Sequence, residues 1–123
     1  MVKRPLVTVV DDDESVRESL PDLLNVLGYE AQAFASAEAF LASRYLTRTN
    51  CLVLDIAMPE MSGPELVEEL RQRGHGIPVV YITAHRDEFA RPNLVALGAV
   101  DCLFKPFSDT DLAKALEVAL RNE

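Results

Sequence analysis

The stretch from Cys51 to Gly63 constrains this chain more than any other. Cys51-Leu52-Val53-Leu54 is an apolar run with no polar interruption. That is the pattern of a strand covered on both faces, as in a parallel sheet, and it delivers one carboxylate, Asp55, where the run stops. Pro59 forbids simple continuation of the strand, and Ser62 with Glu65 has the S-x-x-E spacing of a capping box, so a helix is expected to start there. The unit is strand, loop, helix. Open parallel sheets bind their ligands outside the carboxyl ends of the strands, which is where Asp55 falls.

At 123 residues the chain is expected to be one domain, residues 1–123, long enough to bury a core without staples. Twelve basic residues against twenty acidic ones give a net charge of −8, which opposes binding to nucleic acid and to anionic membrane surfaces. Cys51 and Cys102 both sit inside apolar runs and read as buried thiols in a reducing compartment. Met1-Val2-Lys3-Arg4-Pro5 leaves no room for a signal peptide before the first strand, and no apolar run approaches membrane-spanning length. A cytoplasmic protein is the expectation.

The rest of the chain repeats the same unit. Leu6 to Val10 is a short β-branched run that empties into Asp11-Asp12-Asp13-Glu14, with Ser15 and Glu18 at capping-box spacing. Val16, Leu20, Leu23, Leu24 and Leu27 then recur at helical spacing up to Gly28, with Pro21 an interruption. Tyr29 to Phe34 reads as a second strand, and Ser36 caps a helix carrying Ala39, Phe40 and Leu41. After the Asp55 strand, Pro64 to Arg73 is helical with Leu66, Val67 and Leu70 on one face. Ile77 to Thr83 is a buried strand, and helix signals follow as far as Leu97-Gly98. Val100 to Phe104 is the last strand, followed by Lys105-Pro106-Phe107, and Ser108 with Asp111 caps a closing helix through Leu112, Leu116 and Leu120. Five strands alternating with five crossover helices define an α/β, doubly wound parallel sheet.

The strand ends collect the chemistry. Asp11, Asp12 and Asp13 leave the first strand, Asp55 the third, Thr83 the fourth and Lys105 the fifth. Neighbouring strands lie about 4.8 Å apart, so these groups share one small pocket if the first, third, fourth and fifth strands are adjacent. Two unit charges about 4 Å apart cost roughly 4 kcal/mol even at an effective dielectric of about 20, so apposed carboxylates call for a counter-cation. Oxygen ligands suit a hard divalent ion, Mg²⁺ first. A carboxylate beside such an ion, an ammonium and a hydroxyl is equipped as a nucleophile toward phosphorus, because cations and donors neutralise phosphoryl oxygens as charge develops.

The motifs Val10-Asp11-Asp12, Asp55-x-x-Met58-Pro59-x-Met61-x-Gly63, Ile82-Thr83-Ala84 and Lys105-Pro106-Phe107 together resemble the receiver domains of two-component response regulators. The wording is similar to the FixJ type over essentially the whole chain. The resemblance implies a CheY-like (βα)₅ sandwich with strand order 2-1-3-4-5, the flavodoxin-like arrangement. It implies that Asp55 is the phosphoacceptor for a sensor histidine kinase, that Thr83 is the switch hydroxyl and that Lys105 binds the phosphoryl group. Asp12 and Asp55 with the Ala57 backbone carbonyl become direct Mg²⁺ ligands, and Asp11 acts mainly through metal-bound water. The Lys105-Pro106 bond is implied to be cis. Such a domain is not an enzyme in the ordinary sense, since it catalyses only its own phosphorylation and dephosphorylation. Its implied partners are the kinase, an output domain in cis or a partner protein in trans, and a second copy in a phosphorylation-dependent dimer.

Three places depart from that pattern. Cys102 stands where the family usually has an aromatic, so a cavity or an inward shift of neighbours is expected beside it. Pro92 falls inside the expected fourth helix, and Ala57 and His85 occupy positions at which members differ in dephosphorylation rate.

Plainer readings compete for several residues. Asp13 and Glu14 are assigned to capping and dipole compensation of the first helix, a role that leaves Asp55 and Lys105 unexplained if extended to Asp11 and Asp12. His75 and His85 lack metal-ligand spacing with either cysteine and read as surface residues, and Met58 and Met61 as loop packing. The alternative function is a haloacid-dehalogenase-like phosphatase with Asp11 as nucleophile and Asp13 as its partner. It gives Asp55 no role and offers no cap domain for a substrate.

Overall fold

The computed structural model describes residues 4–84, 93–94 and 98–121. Five parallel strands form one sheet: β1 (Leu6–Val10), β2 (Glu30–Phe34), β3 (Cys51–Asp55), β4 (Val79–Thr83) and β5 (Asp101–Phe104), in the order β2-β1-β3-β4-β5. Among the described residues four helices connect or follow them: α1 (Glu14–Val26), α2 (Ala37–Leu41), α3 (Gly63–Gln72) and α4 (Asp109–Arg121). The helix expected between Thr83 and Gly98, with Pro92 inside it, and the surface assignment of His85 lie outside the described residues.

The period-2 geometry of a strand sends alternate side chains to opposite faces, and here both faces are covered. Val7, Val9, Cys51, Val53, Val80, Ile82 and Leu103 pack with Leu20 and Leu24 of α1 and Leu112 and Leu116 of α4. Val10, Leu52, Leu54, Val79, Tyr81 and Cys102 pack on the other face with Phe40 of α2 and Leu66 and Leu70 of α3. Neither cysteine is in a disulfide, and both are buried, one in each layer. Met58 is buried and Met61 half-buried in the second layer, so both are loop packing as expected.

The helix starts show how local chemistry sets the loops. Ser62 accepts from the Glu65 amide and Glu65 Oε1 accepts from the Ser62 amide at 3.0 Å, the expected capping box, with Pro64 at the start of α3. At α1 the Ser15–Glu18 box does not form. Asp13 caps the helix instead, because its carboxylate, two residues nearer the strand, takes both the Ser15 amide at 2.9 Å and the Ser15 hydroxyl at 2.8 Å. Ser36 caps α2 through the Ala39 amide, and Ser108 accepts from the Asp111 amide at 3.0 Å before α4.

α1 runs through Pro21 and ends one residue short of Leu27, its last turn held by Arg4, which donates to the carbonyls of Asn25 and Gly28. Gly28 itself sits at φ +100°, a conformation that costs a residue with a Cβ. Beside Cys102 a surface groove of about 410 Å³ opens between β5 and α4, while Tyr81, its register partner on β4, is buried against α3. Cys102 itself is buried in the α3 layer, on the opposite face of the sheet from α4.

Candidate functional site: an acidic pocket at the carboxyl edge of the sheet

The register brings the expected residues together. β1 lies between β2 and β3, with Val10 opposite Leu54, so the residues that follow, Asp11 and Asp55, leave adjacent strands at the same level. Asp55 pairs with Ile82 and Thr83 with Phe104, which extends that level across β4 to the residue before Lys105. One carboxylate oxygen each from Asp11, Asp12 and Asp55 lies within 4.8 Å of the others. Asp11 is fully buried, Asp55 is 7% exposed, and Asp12 is open to solvent.

Lys105 sets an ammonium against a carboxylate of this cluster. Its Nζ donates to Asp11 Oδ2 at 2.8 Å, and its main-chain amide donates to the Thr83 carbonyl at 2.8 Å. The Lys105–Pro106 peptide is cis. Thr83 ends β4 with its side chain buried at the same edge. Ala57 is exposed in the loop after β3, and Met61, two residues on from Pro59, donates its amide to the Pro59 carbonyl at 2.9 Å. Glu60 takes φ +68° in that loop, the left-handed region. Gly63 closes it: its amide donates to the Ile56 carbonyl at 2.9 Å, and a methyl group there would run into the Asp55 carbonyl. Only glycine lets α3 start this close to the strand end.

Electrostatics separate the aspartates. Burial, and next the charge of Asp11, push the Asp55 carboxyl up to about 7, against the pull of Lys105. Asp13 moves the other way, held below the usual carboxylate range by its hydrogen bonds from Ser15. The pocket therefore has a surplus of negative charge that one lysine does not neutralise. Its donors are all oxygens, three of them carboxylates within 4.8 Å, a set that fits a hard divalent cation such as Mg²⁺ and not a soft one. Asp13 faces α1 as its cap, outside this set. One contact was not legible in the motifs: Arg17, in the first turn of α1, donates to the Asp11 carbonyl at 3.1 Å.

A doubly wound sheet of order 2-1-3-4-5, with acids, a threonine and a lysine gathered at the edge where the winding reverses, defines a CheY-like module. The model of the response regulator receiver domain family matches residues 7–117, and the chain belongs to that family. It is 37% identical over 116 residues to the response regulator protein TmoT of Ectopseudomonas mendocina, covering 94% of this chain and 53% of the relative. Against the transcriptional regulatory protein FixJ of Rhizobium meliloti it is 42% identical over 113 residues, covering 92% and 55%. The crystal structure of FixJ-N superposes with a TM-score of 0.86 at 38% identity, covering 99% of this chain and 98% of that one. The chain thus spans about half the length of the curated relatives it matches. Membership in this family, with Asp13 committed to capping α1, removes the support for a phosphatase built on Asp11 and Asp13.

Proposed function

We propose that this receiver domain accepts a phosphoryl group on Asp55 from a sensor histidine kinase and passes the change to an output domain or partner protein. The observation that carries the reading is the placement of Asp55, nearly buried at a strand end, with Asp11 and Asp12 oxygens within 4.8 Å and the Lys105 ammonium on Asp11. Asp11, Asp12 and Asp55 with the Ala57 carbonyl are the groups that would hold Mg²⁺. When bound, Mg²⁺ would neutralise the carboxylates and stabilise charge on phosphoryl oxygens.

The chain's own groups do the rest. As its carboxylate, Asp55 attacks phosphorus: an O–P bond forms, the P–N bond of a phosphohistidine breaks, and the imidazole leaving group takes up a proton. Lys105 and the Thr83 hydroxyl are the donors for the transferred phosphoryl oxygens. The burial that raises the Asp55 carboxyl to about 7 also keeps bulk water off the acyl phosphate. Attack of water on phosphorus returns the carboxylate and inorganic phosphate. The domain acts on itself alone, in the cytoplasm, and its acidic surface leaves any nucleic-acid binding to an output domain or partner protein. No helix among the described residues is long and apolar enough to cross a membrane.

Acetyl phosphate with Mg²⁺ should add one phosphoryl group by intact-mass analysis. Asp55→Asn should lose the label while Asp11→Asn keeps a measurable fraction. Full labelling of Asp55→Asn would contradict the assignment.

A further inference from the structure

Asp11 is engaged at each of its polar atoms. Its amide donates to the Phe34 carbonyl at 3.1 Å, its Oδ1 accepts from the Asp13 amide at 2.9 Å, and its Oδ2 accepts from Lys105 at 2.8 Å. The fourth contact is Arg17 Nη1, which donates to the Asp11 carbonyl at 3.1 Å. The first two contacts have main-chain partners, the Phe34 carbonyl and the Asp13 amide. The third depends on Lys105, which leaves Asp11 if it serves a phosphoryl group. The fourth is made to the main-chain carbonyl and leaves both carboxylate oxygens to other partners.

Arg17 also spans the turn from its other end. Its own amide donates to the Asp13 carbonyl at 3.2 Å, the first i→i−4 bond of α1, which any residue but proline would make at this position; the guanidinium adds the bond to the other end of Asp11–Asp13, with Asp12 between them. Helical side chains lean toward the N-terminus of their helix, which is why residue 17 can reach back to residue 11. A cation in the first turn of a helix is disfavoured by the macrodipole, so α1 alone gives no reason for an arginine there. The half-buried contact with the Asp11 carbonyl does.

We propose that Arg17 is a positioning residue for the divalent-cation site. It holds the Asp11–Asp13 turn, and with it the Asp11 and Asp12 carboxylates, at the spacing a cation needs whichever way Lys105 points. The inference rests on the Mg²⁺-dependent phosphoacceptor reading of the pocket.

Mg²⁺ titration by calorimetry of the wild type, Arg17→Ala and Arg17→Lys, with acetyl phosphate labelling across a Mg²⁺ series, tests it. Outer partners that orient metal ligands carry about 10- to 100-fold in affinity, and a contact made through the backbone belongs at the lower end, so Arg17→Ala should raise the Mg²⁺ Kd about tenfold. The Mg²⁺ concentration for half-maximal labelling should rise in parallel, while the rate at saturating Mg²⁺ stays within about twofold of wild type. Arg17→Lys, which keeps the charge without the guanidinium fork, should fall between them and carries the test if Arg17→Ala melts too low. A role confined to holding α1 would lower the metal-free melting temperature and leave the Mg²⁺ affinity where it was. Wild-type uptake with unchanged affinity in both variants overturns this inference alone. Absence of uptake by the wild type overturns the pocket reading and this inference with it.

Discussion

The turn after β1 and the end of β3 both present aspartates at one edge of one sheet, and they solve the charge problem in opposite ways. Asp13, in the turn, is exposed and accepts two hydrogen bonds from Ser15, so its ionised form is favoured and α1 gains its cap. Asp55, at the strand end, is nearly buried and faces Asp11, so its ionised form is disfavoured up to about 7. The first arrangement is what a chain optimised for stability builds. The second carries an electrostatic penalty that only an added cation or proton relieves, and it is the one placed to react. Residues of one type at one edge of one sheet are thus divided between fold and function by burial and by hydrogen-bond donors.

Variants at the two places should separate them, the largest effect first. Lys105→Met leaves Asp11 fully buried beside Asp55 without its ammonium, and breaking such a buried pair costs about 3 kcal/mol. Urea denaturation at neutral pH without Mg²⁺ reads that loss, and Mg²⁺ should narrow the gap between variant and wild type.

Asp55→Asn comes next and carries the opposite sign. The folded protein holds the Asp55 proton up to about 7 while the unfolded chain releases it near 3.8, so stability falls as pH rises across that window. Each pKa unit is worth about 1.4 kcal/mol, which caps the loss near 4 kcal/mol. The pocket's solvated rim at Asp12 reduces the expected gain in Asp55→Asn to about 2 kcal/mol above neutral pH, vanishing toward pH 4. Melting curves of both proteins from pH 4 to pH 8 without Mg²⁺ would show two lines that diverge with pH. Parallel lines would remove the like-charge account of the pocket.

Asp13→Ala should have the smallest effect and the reverse dependence. The Asp13 carboxyl is held low in the folded state, so its contribution is present above its unfolded value of 3.8 and disappears as pH falls below it. Wild type and Asp13→Ala should therefore converge in acid, where wild type and Asp55→Asn also meet, and differ slightly at neutral pH.

Much of this arrangement was readable before any coordinates. Asp55 was readable because a short unbroken apolar run that stops at a charge and is followed by Pro59 fits the carboxyl end of a covered strand, and parallel pairing then puts the other strand ends beside it. The Ser62–Glu65 box was readable for the same reason: Pro64 and Gly63 leave the chain no competing start. Ser15–Glu18 has the same spacing and failed, because an acid two residues earlier was a stronger acceptor for Ser15. Spacing identifies a capable pair and not the competitor beside it. Arg17 on Asp11, Arg4 on the end of α1, and the buried Thr8–Thr49 hydroxyl pair at 2.7 Å were not readable. Each depends on where a side chain ends after the helices dock. The packing of Tyr81, the register partner of Cys102, against the start of α3 required the register of β4 and β5.

The central claim is that Asp55, and not its neighbours in the same pocket, carries the phosphoryl group. The most direct measurement is to label the wild-type protein with acetyl phosphate and Mg²⁺, reduce the acyl phosphate with borohydride, and locate the resulting homoserine by tandem mass spectrometry. The account predicts homoserine at position 55 and aspartate unchanged at positions 11, 12 and 13. Homoserine at position 11 or 12, or none at position 55 in a protein that has taken up phosphate, would contradict it.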